Sequence, residues 1–394
     1  MLLARVAVLL GALSCLVGCG GCSPLYVLRS AYEEGRILLS RQSIESLLEK
    51  PELDPDTRAK LELVLEVRRF ARDRLGLAVG DAYASFSIVP PGALLHVVSA
   101  AERTRLEPYT WWFPIVGDVD YKGFFDEADA RAEAERLQSK GYDTWVRPSV
   151  AFSTLGWFDD PVLSSWLRAD PVRITELLIH ELLHRTWYVS GETEFNESLA
   201  TFVGHVGAIE FFRARDGEDA ETTRRAVAGW DEALAESRLW TTAVEELRAL
   251  YEASAREGRP VDEVLAAREK IFRAIERGEL DGADAFPAAA TQPTPRRRTP
   301  IPVNNAVILA NYAYLKELDA FDAIYRQAGD LRASLARLRE IVDDADDPFA
   351  ALAQAASTAP PPSSHVDTAP PSQSGDATSS PADEATLPGA ASRS

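Results

Sequence analysis

The sequence predicts an α+β protein that is predominantly helical and carries a small mixed β-sheet. Three observations support this. Apolar residues recur at three- and four-residue spacing over much of the chain, as in "PDTRAKLELVLEVRRFARDRLGL", which is the period of an amphipathic helix. From residue 82 to 118 the composition shifts to aromatic and β-branched residues punctuated by Pro and Gly, as strands require. A further helical stretch holds His-Glu-x-x-His at 180–184.

A chain of 394 residues with 46% hydrophobic content can bury a large core. Its formal charge of −19 leaves no broad cationic surface for phosphates, so nucleic acid is excluded as a partner. Nothing points to an oligomer, and a monomer is expected.

The chain opens "MLLARVAVLLGALSCLVGCGGCSP". Arg5 supplies a positive start, and Val6 to Val17 an apolar run too short for a permanent membrane span. Leu16-Val17-Gly18-Cys19 resembles the bacterial lipobox, which implies a signal peptide over 1–18 and a diacylated Cys19. An amide-linked chain besides the diacylglycerol suffices for stable anchoring. The expected location is the bacterial cell envelope. Gly20, where Asp would signal inner-membrane retention, favours the periplasmic side of the outer membrane. All three cysteines (Cys15, Cys19, Cys22) lie in this segment, so no disulfide holds the folded body and any metal site must use His and carboxylate.

Taken in order, residues 29–75 read as helices, with Ser43 and Asp56 as caps and Gly76 as a stop. Strands follow over 82–118. The segment "FFDEADARAEAERLQSKG" is a charged amphipathic helix capped by Asp126 and ended by Gly141. A strand in "YDTWVRPSVAFSTLGWF" would complete a βαβ unit. Asp170-Pro171 opens the helix that carries the two histidines. Residues 194–215 and about 219–278 are helical, 279–303 form a Pro-rich loop whose "PRRR" reads as a solvated charge cluster, and helices return at 304–342. From 343 to 394 the composition of Ala, Pro, Ser and Asp reads as a disordered tail. The organisation is therefore 1–18 signal peptide, 19–342 folded domain and 343–394 tail.

His180 and His184 lie one turn apart on one helix face, so both imidazoles can reach one ion. Glu181 points about a quarter-turn away, where a general base beside an open coordination position belongs. Ser190-Gly191 stops this helix and Thr193 caps another, so Glu197 falls one turn into a second helix that can fold back on the first. Gly and His are absent from 187 and 190, which rules out a metzincin. Asn196-Glu197-x-x-Ala200 resembles the Asn-Glu-x-x-Ala element of gluzincin peptidases, which implies a zincin-like fold with Glu197 as third ligand to one zinc ion. The twelve residues between His184 and Glu197 make a shorter turn than in the best-known gluzincins. Two His and one carboxylate suit zinc and leave a fourth position for water, whose proton Glu181 would take and pass to the leaving amine.

The chain also resembles the bacterial "putative aminopeptidase" lipoproteins over most of residues 19–345. The resemblance rests on "WFPIVGDVDYKGFFDEADARAEAERLQSKGYD", "FSTLGWFDDP", "FNESLATFVG" and "NNAVILANYAYL". It implies an aminopeptidase acting on peptides. Phe152 stands where the family has Tyr, so no hydroxyl is available there.

Other candidates are weighed against ordinary structural roles. Ser153, Thr154, Leu155 and Gly156 are equally a strand edge that receives substrate or a buried strand end. Asp159 and Asp160 read as a turn sooner than as a substrate-amine site. Tyr314, with Tyr312 as alternative, is the candidate oxyanion donor, although a core tyrosine is the commoner case. Asn196 could orient a ligand through its amide. His205, Trp187 and Tyr188 read as packing residues, and nothing points to His96 or His365. The reading is a lipid-anchored zinc peptidase. The alternatives are a non-catalytic envelope lipoprotein with a structural metal, and a zinc hydrolase of cell-wall peptides.

Overall fold

The computed structural model describes residues 24–90, 95–113, 117–149, 159–280 and 302–358. Cys19, Phe152, the Ser153–Gly156 segment, most of the Pro-rich loop and the chain from 359 onward lie outside the described residues.

The chain begins with α1 (Pro24–Leu39), β1 (Gln42–Ser43), α2 (Ile44–Leu48) and α3 (Pro55–Phe70). Ser43 caps α2, accepting the Ser46 amide at 3.5 Å. Asp54, not Asp56, caps α3. It accepts the Thr57 amide and leaves Pro55 at the first helical position, where a missing N–H costs nothing. A π-helical turn, Ala71–Leu75, closes on Gly76 at φ 75°.

Then come β2 (Ser85–Ser87), β3 (Leu95–Ala101), β4 (Trp111–Phe113), β5 (Gly117–Val119), β6 (Tyr121–Phe124), α4 (Glu127–Gln138), β7 (Asp143–Ser149) and β8 (Val162–Leu163). From 171 the described chain is helical: α5 (Pro171–Thr186), α6 (Thr193–Asp216), α7 (Glu221–Glu257), α8 (Val261–Arg277), α9 (Asn305–Leu315), α10 (Leu318–Ala328), α11 (Leu331–Val342) and α12 (Pro348–Ser357). The architecture is α+β and predominantly helical. None of the described helices is long and apolar enough to cross a membrane.

The segment read as tail from 343 needs correcting, because α12 lies within it. Asp347 caps this helix, Leu352 is fully buried, and the Phe349 ring meets Phe195 at 5.4 Å. Two large apolar residues among alanines suffice when a preformed core receives them.

The βαβ expectation also changes in detail. β3 pairs antiparallel with both β6 and β7, so β6 and β7 run parallel with β3 between them, a split unit crossed by α4. Side chains alternate across the pleat. Val98, Ala100, Phe124 and Val146 pack on Ala130, Ala134 and Leu137 of α4 in a core of their own. The alternate set, Val97, Ser99, Tyr121, Trp145 and Arg147, faces the other way, the side on which α9 meets β3 and β7.

A buried polar network fixes that junction. Arg268 of α8 is 2% exposed and grips Asp143 with two bonds, 2.6 and 3.0 Å. Asp143 also accepts the Asn305 amide, while the Asn305 side chain donates to the Glu102 and Arg105 carbonyls and accepts from Tyr251. Removing one partner would strand a charge in a low dielectric, so Asp143→Ala should cost about 3–5 kcal/mol of stability. Urea unfolding measures this, and a loss under about 1 kcal/mol would contradict the reading.

Candidate active site

The site is built on α5 and α6. Asp170 caps α5, accepting the Val172 and Arg173 amides, and Pro171 occupies the first helical position. The helix runs on to Thr186. Gly191 turns the chain at φ 85°, a left-handed conformation that glycine adopts without a Cβ clash. Glu192, not Thr193, holds the cap position of α6, without a side-chain cap bond. Asn196, expected to orient a ligand, instead commits its amide to the turn. It accepts from the Val189 N–H at 2.8 Å and donates to the Val189 carbonyl at 2.7 Å. It therefore acts on Glu197 only by fixing the backbone next to it.

Two helices can hold one ion only if they approach closely, and glycine makes the approach possible. A Cβ on Gly204 would lie 2.8 Å from the Glu176 carbonyl oxygen and 3.3 Å from His180 Cβ. With no side chain there, Glu197 comes to face the two histidines. His180 Nε2 and His184 Nε2 are 3.1 Å apart, and Glu197 Oε2 lies 3.4 and 3.6 Å from them. Tetrahedral bonds of about 2.0–2.1 Å would put ligand atoms roughly 3.3–3.4 Å apart, so the triangle has the size that a small divalent ion needs. Nitrogen and carboxylate donors suit zinc. The three side chains keep 16 to 21% exposure, so the triangle is not sealed in the core.

The charges at this site divide the two glutamates. Burial raises the Glu197 pKa, but hydrogen bonds from His180 and His184 outweigh it and hold the carboxyl well below its usual range. Burial likewise lowers His184, and Glu197 reverses that and raises it. Glu181 moves the other way: burial pushes it up, and Glu197 and Asp160 add to this against the two imidazoles.

The remaining candidates separate. The Tyr314 ring stacks on His180 at 6.4 Å and 18°, and its phenol is pushed far up by Glu197 first and burial second, with Arg147 opposing. Tyr312 instead packs in the main core under Lys316. Asp159 pairs with Arg185 at 3.1 Å, and Asp160 is buried, its carbonyl accepting the Tyr83 amide. His205 lies 3.2 Å from Glu176, one turn before His180, and not at the triangle. His96 faces Glu127 at 3.7 Å. Trp187 packs partly buried on the core, whereas Tyr188, expected to pack, is 58% exposed.

Four residues at the site, Asp120, Tyr121, Arg147 and Tyr83, escape a reading of the sequence. Tyr121 and Arg147 come from the sheet face described above, Tyr121 keeping 37% exposure, and burial raises its neighbour Asp120, with Glu194 and Glu197 adding to this. Arg147 had one local signal, a charge in mid-strand between Val146 and Pro148. Tyr83, near Glu181, adopts φ 58° while buried against Trp166, a conformation rare for an aromatic residue.

Two half-buried histidines and a half-buried glutamate on crossed helices, with a second glutamate beside them, form a centre that could hold a divalent metal. The chain belongs to the family described as "Putative aminopeptidase", whose model matches residues 25–348. No curated protein and no solved structure matches it.

Two predictions follow from the geometry. Gly204→Ala should separate α5 from α6, costing about 1–3 kcal/mol and weakening metal binding; unfolding and metal titration of the purified variant measure both, and unchanged metal affinity would contradict the geometry. Second, the raised pKa of His184 means that the metal-free site holds a proton to pH values above the ordinary histidine range. Metal binding near neutral pH should therefore release a proton, and affinity should fall as pH falls. Calorimetry in buffers of differing ionisation enthalpy reads the proton directly, and no release would refute it.

Proposed function

We propose that the protein is a zinc-dependent aminopeptidase in which His180, His184 and Glu197 hold the ion. The observation that carries this reading is the His-His-Glu triangle with Glu181 half-buried beside it, and membership of the aminopeptidase family supports it. When bound by three protein ligands, zinc supplies Lewis acidity, lowering the pKa of a water in the open position towards neutrality and polarising the scissile carbonyl. Glu181 takes the proton of the attacking water and returns it to the leaving amine. Burial suits it to this role, because a carboxylate of raised pKa accepts a proton more readily. Tyr314 donates its phenolic hydrogen to the carbonyl oxygen as that oxygen gains charge. The reading includes a chain diacylated at Cys19 and held in the bacterial envelope, acting on peptides as a monomer.

Glu181→Gln keeps the shape of the side chain and removes the base. It should retain one zinc per chain by elemental analysis and lose at least about a hundredfold in kcat on an unblocked peptide. Comparing that peptide with its N-acetylated form tests the exopeptidase claim, since only the free amine should be trimmed. Full activity in Glu181→Gln would refute the mechanism, and zinc without hydrolysis of any peptide would point to a structural metal.

A further inference from the structure

Arg147 stands apart from the other arginines near the site. It lies in β7 opposite Val97 of β3, on the sheet face that meets α9, which carries Tyr314. Its guanidinium carbon sits 5.6 Å from the Tyr314 ring and 5.5 Å from the Trp145 ring, so two aromatic faces hold it. Arg185, by contrast, is paired with Asp159. Among the described residues Arg147 makes no ion pair, and its Nε is buried without a hydrogen-bond partner. A half-buried guanidinium held against two rings, with no carboxylate in ion-pair contact among the described residues, is placed to act on Tyr314.

We infer that Arg147 is a positioning residue for Tyr314, holding the phenol so that its own hydrogen is free for the substrate oxygen. A guanidinium only donates, so in a hydrogen bond with Tyr314 the phenolic oxygen must be the acceptor. The phenolic hydrogen is then left for a second partner. Without Arg147 the phenol could turn that hydrogen onto Glu197, the anion that acts on it most strongly. That contact would take the donor away from the reaction and weaken the carboxylate as a ligand. Trp145 on one side and the strand register on the other fix the guanidinium before substrate arrives, so no reorganisation is needed during the reaction.

This inference rests on the peptidase reading, and a double-mutant cycle separates the two. Zinc-loaded wild type, Arg147→Gln, Arg147→Lys, Tyr314→Phe and the Arg147→Gln/Tyr314→Phe double variant are compared for kcat, KM and zinc content on an unblocked peptide. Arg147→Gln should lower kcat about 10- to 100-fold, somewhat less than removal of an oxyanion donor itself, with KM and zinc nearly unchanged. Arg147→Lys should recover part of the loss, because the charge remains while the planar fork does not. In the Tyr314→Phe background Arg147→Gln should have no further effect, since nothing is left to position. Multiplicative losses in an active enzyme would overturn this inference alone, as would a change confined to KM. An inactive wild type would overturn the peptidase reading and this inference with it. If Arg147→Gln does not fold, Arg147→Lys and its Tyr314→Phe double variant carry the same cycle.

Discussion

The close approach of α5 and α6 at Gly204 is the contact on which the rest of the site depends. The two helices run in opposite directions from the turn at 187–192, so residues on their facing surfaces pair in reverse order. Glu197 and Gly204 are two turns apart on one face of α6, and His180 and Glu176 one turn apart on α5. Gly204 meets Glu176 and His180, and Glu197 then falls opposite His180 and His184. Gly207 continues the seam, since a Cβ there would lie 3.0 Å from two carbons of Ile179. An ordinary helix separation would leave Glu197 too far from the imidazoles to share an ion with them. The His-His-Glu triangle is a consequence of helix packing, and the packing is a consequence of two missing side chains.

This explains how much of the protein could be read beforehand. The histidine pair, the stop at Gly191 and the position of Glu197 depend on periods and turns within eighteen residues, so local rules reach them. Asp126 and Asp170 were legible as caps for the same reason. Arg147, Tyr121 and Asp120 were not, because what brings them to the site is the register of three strands and the packing of α9 on their back. Those contacts span more than a hundred residues of chain. Asn196 shows the opposite error. Its place beside Glu197 suggests a role on the metal, but its amide has closer partners in the Val189 backbone. The misread of α12 has another cause: helix formation there depends on an acceptor surface that the segment's own composition cannot reveal.

The "NNAVILANYAYL" block gains a physical meaning in the same way. Asn304 caps α9, accepting the Val307 amide at 3.0 Å, and its amide donates to the Thr144 carbonyl of β7 at 3.1 Å. Asn305 ties the same helix end to Asp143 and to the loop after β3. One end of α9 is thus fastened to the sheet, and Tyr314 lies near the other end, against His180. The His-His-Glu triangle comes from one helix pair, and the tyrosine and arginine beside it from another part of the chain. The buried Arg268–Asp143–Asn305 cluster fastens the start of α9 to β7, so it fixes the helix of Tyr314 relative to the strand of Arg147.

Within that frame, two glutamates of identical chemistry are given opposite characters. Glu197 faces two imidazoles, which hold it ionised against the cost of burial. Glu181 is one residue along from His180 but a quarter-turn away, where desolvation dominates and Asp160 and Glu197 add repulsion. Carboxyls whose environments push their pKa values apart are suited to different tasks. The ionised one is suited to ligate a cation, because it need not lose a proton first. The raised one is suited to carry a proton between two reacting atoms. A bound dication would strengthen the first assignment and temper the second, drawing Glu181 back towards the range in which it accepts a proton and later gives it up. The division follows from placement: Glu197 on α6 points at both imidazoles, whereas Glu181 on α5 is turned a quarter of the helix away from them, where burial outweighs their attraction.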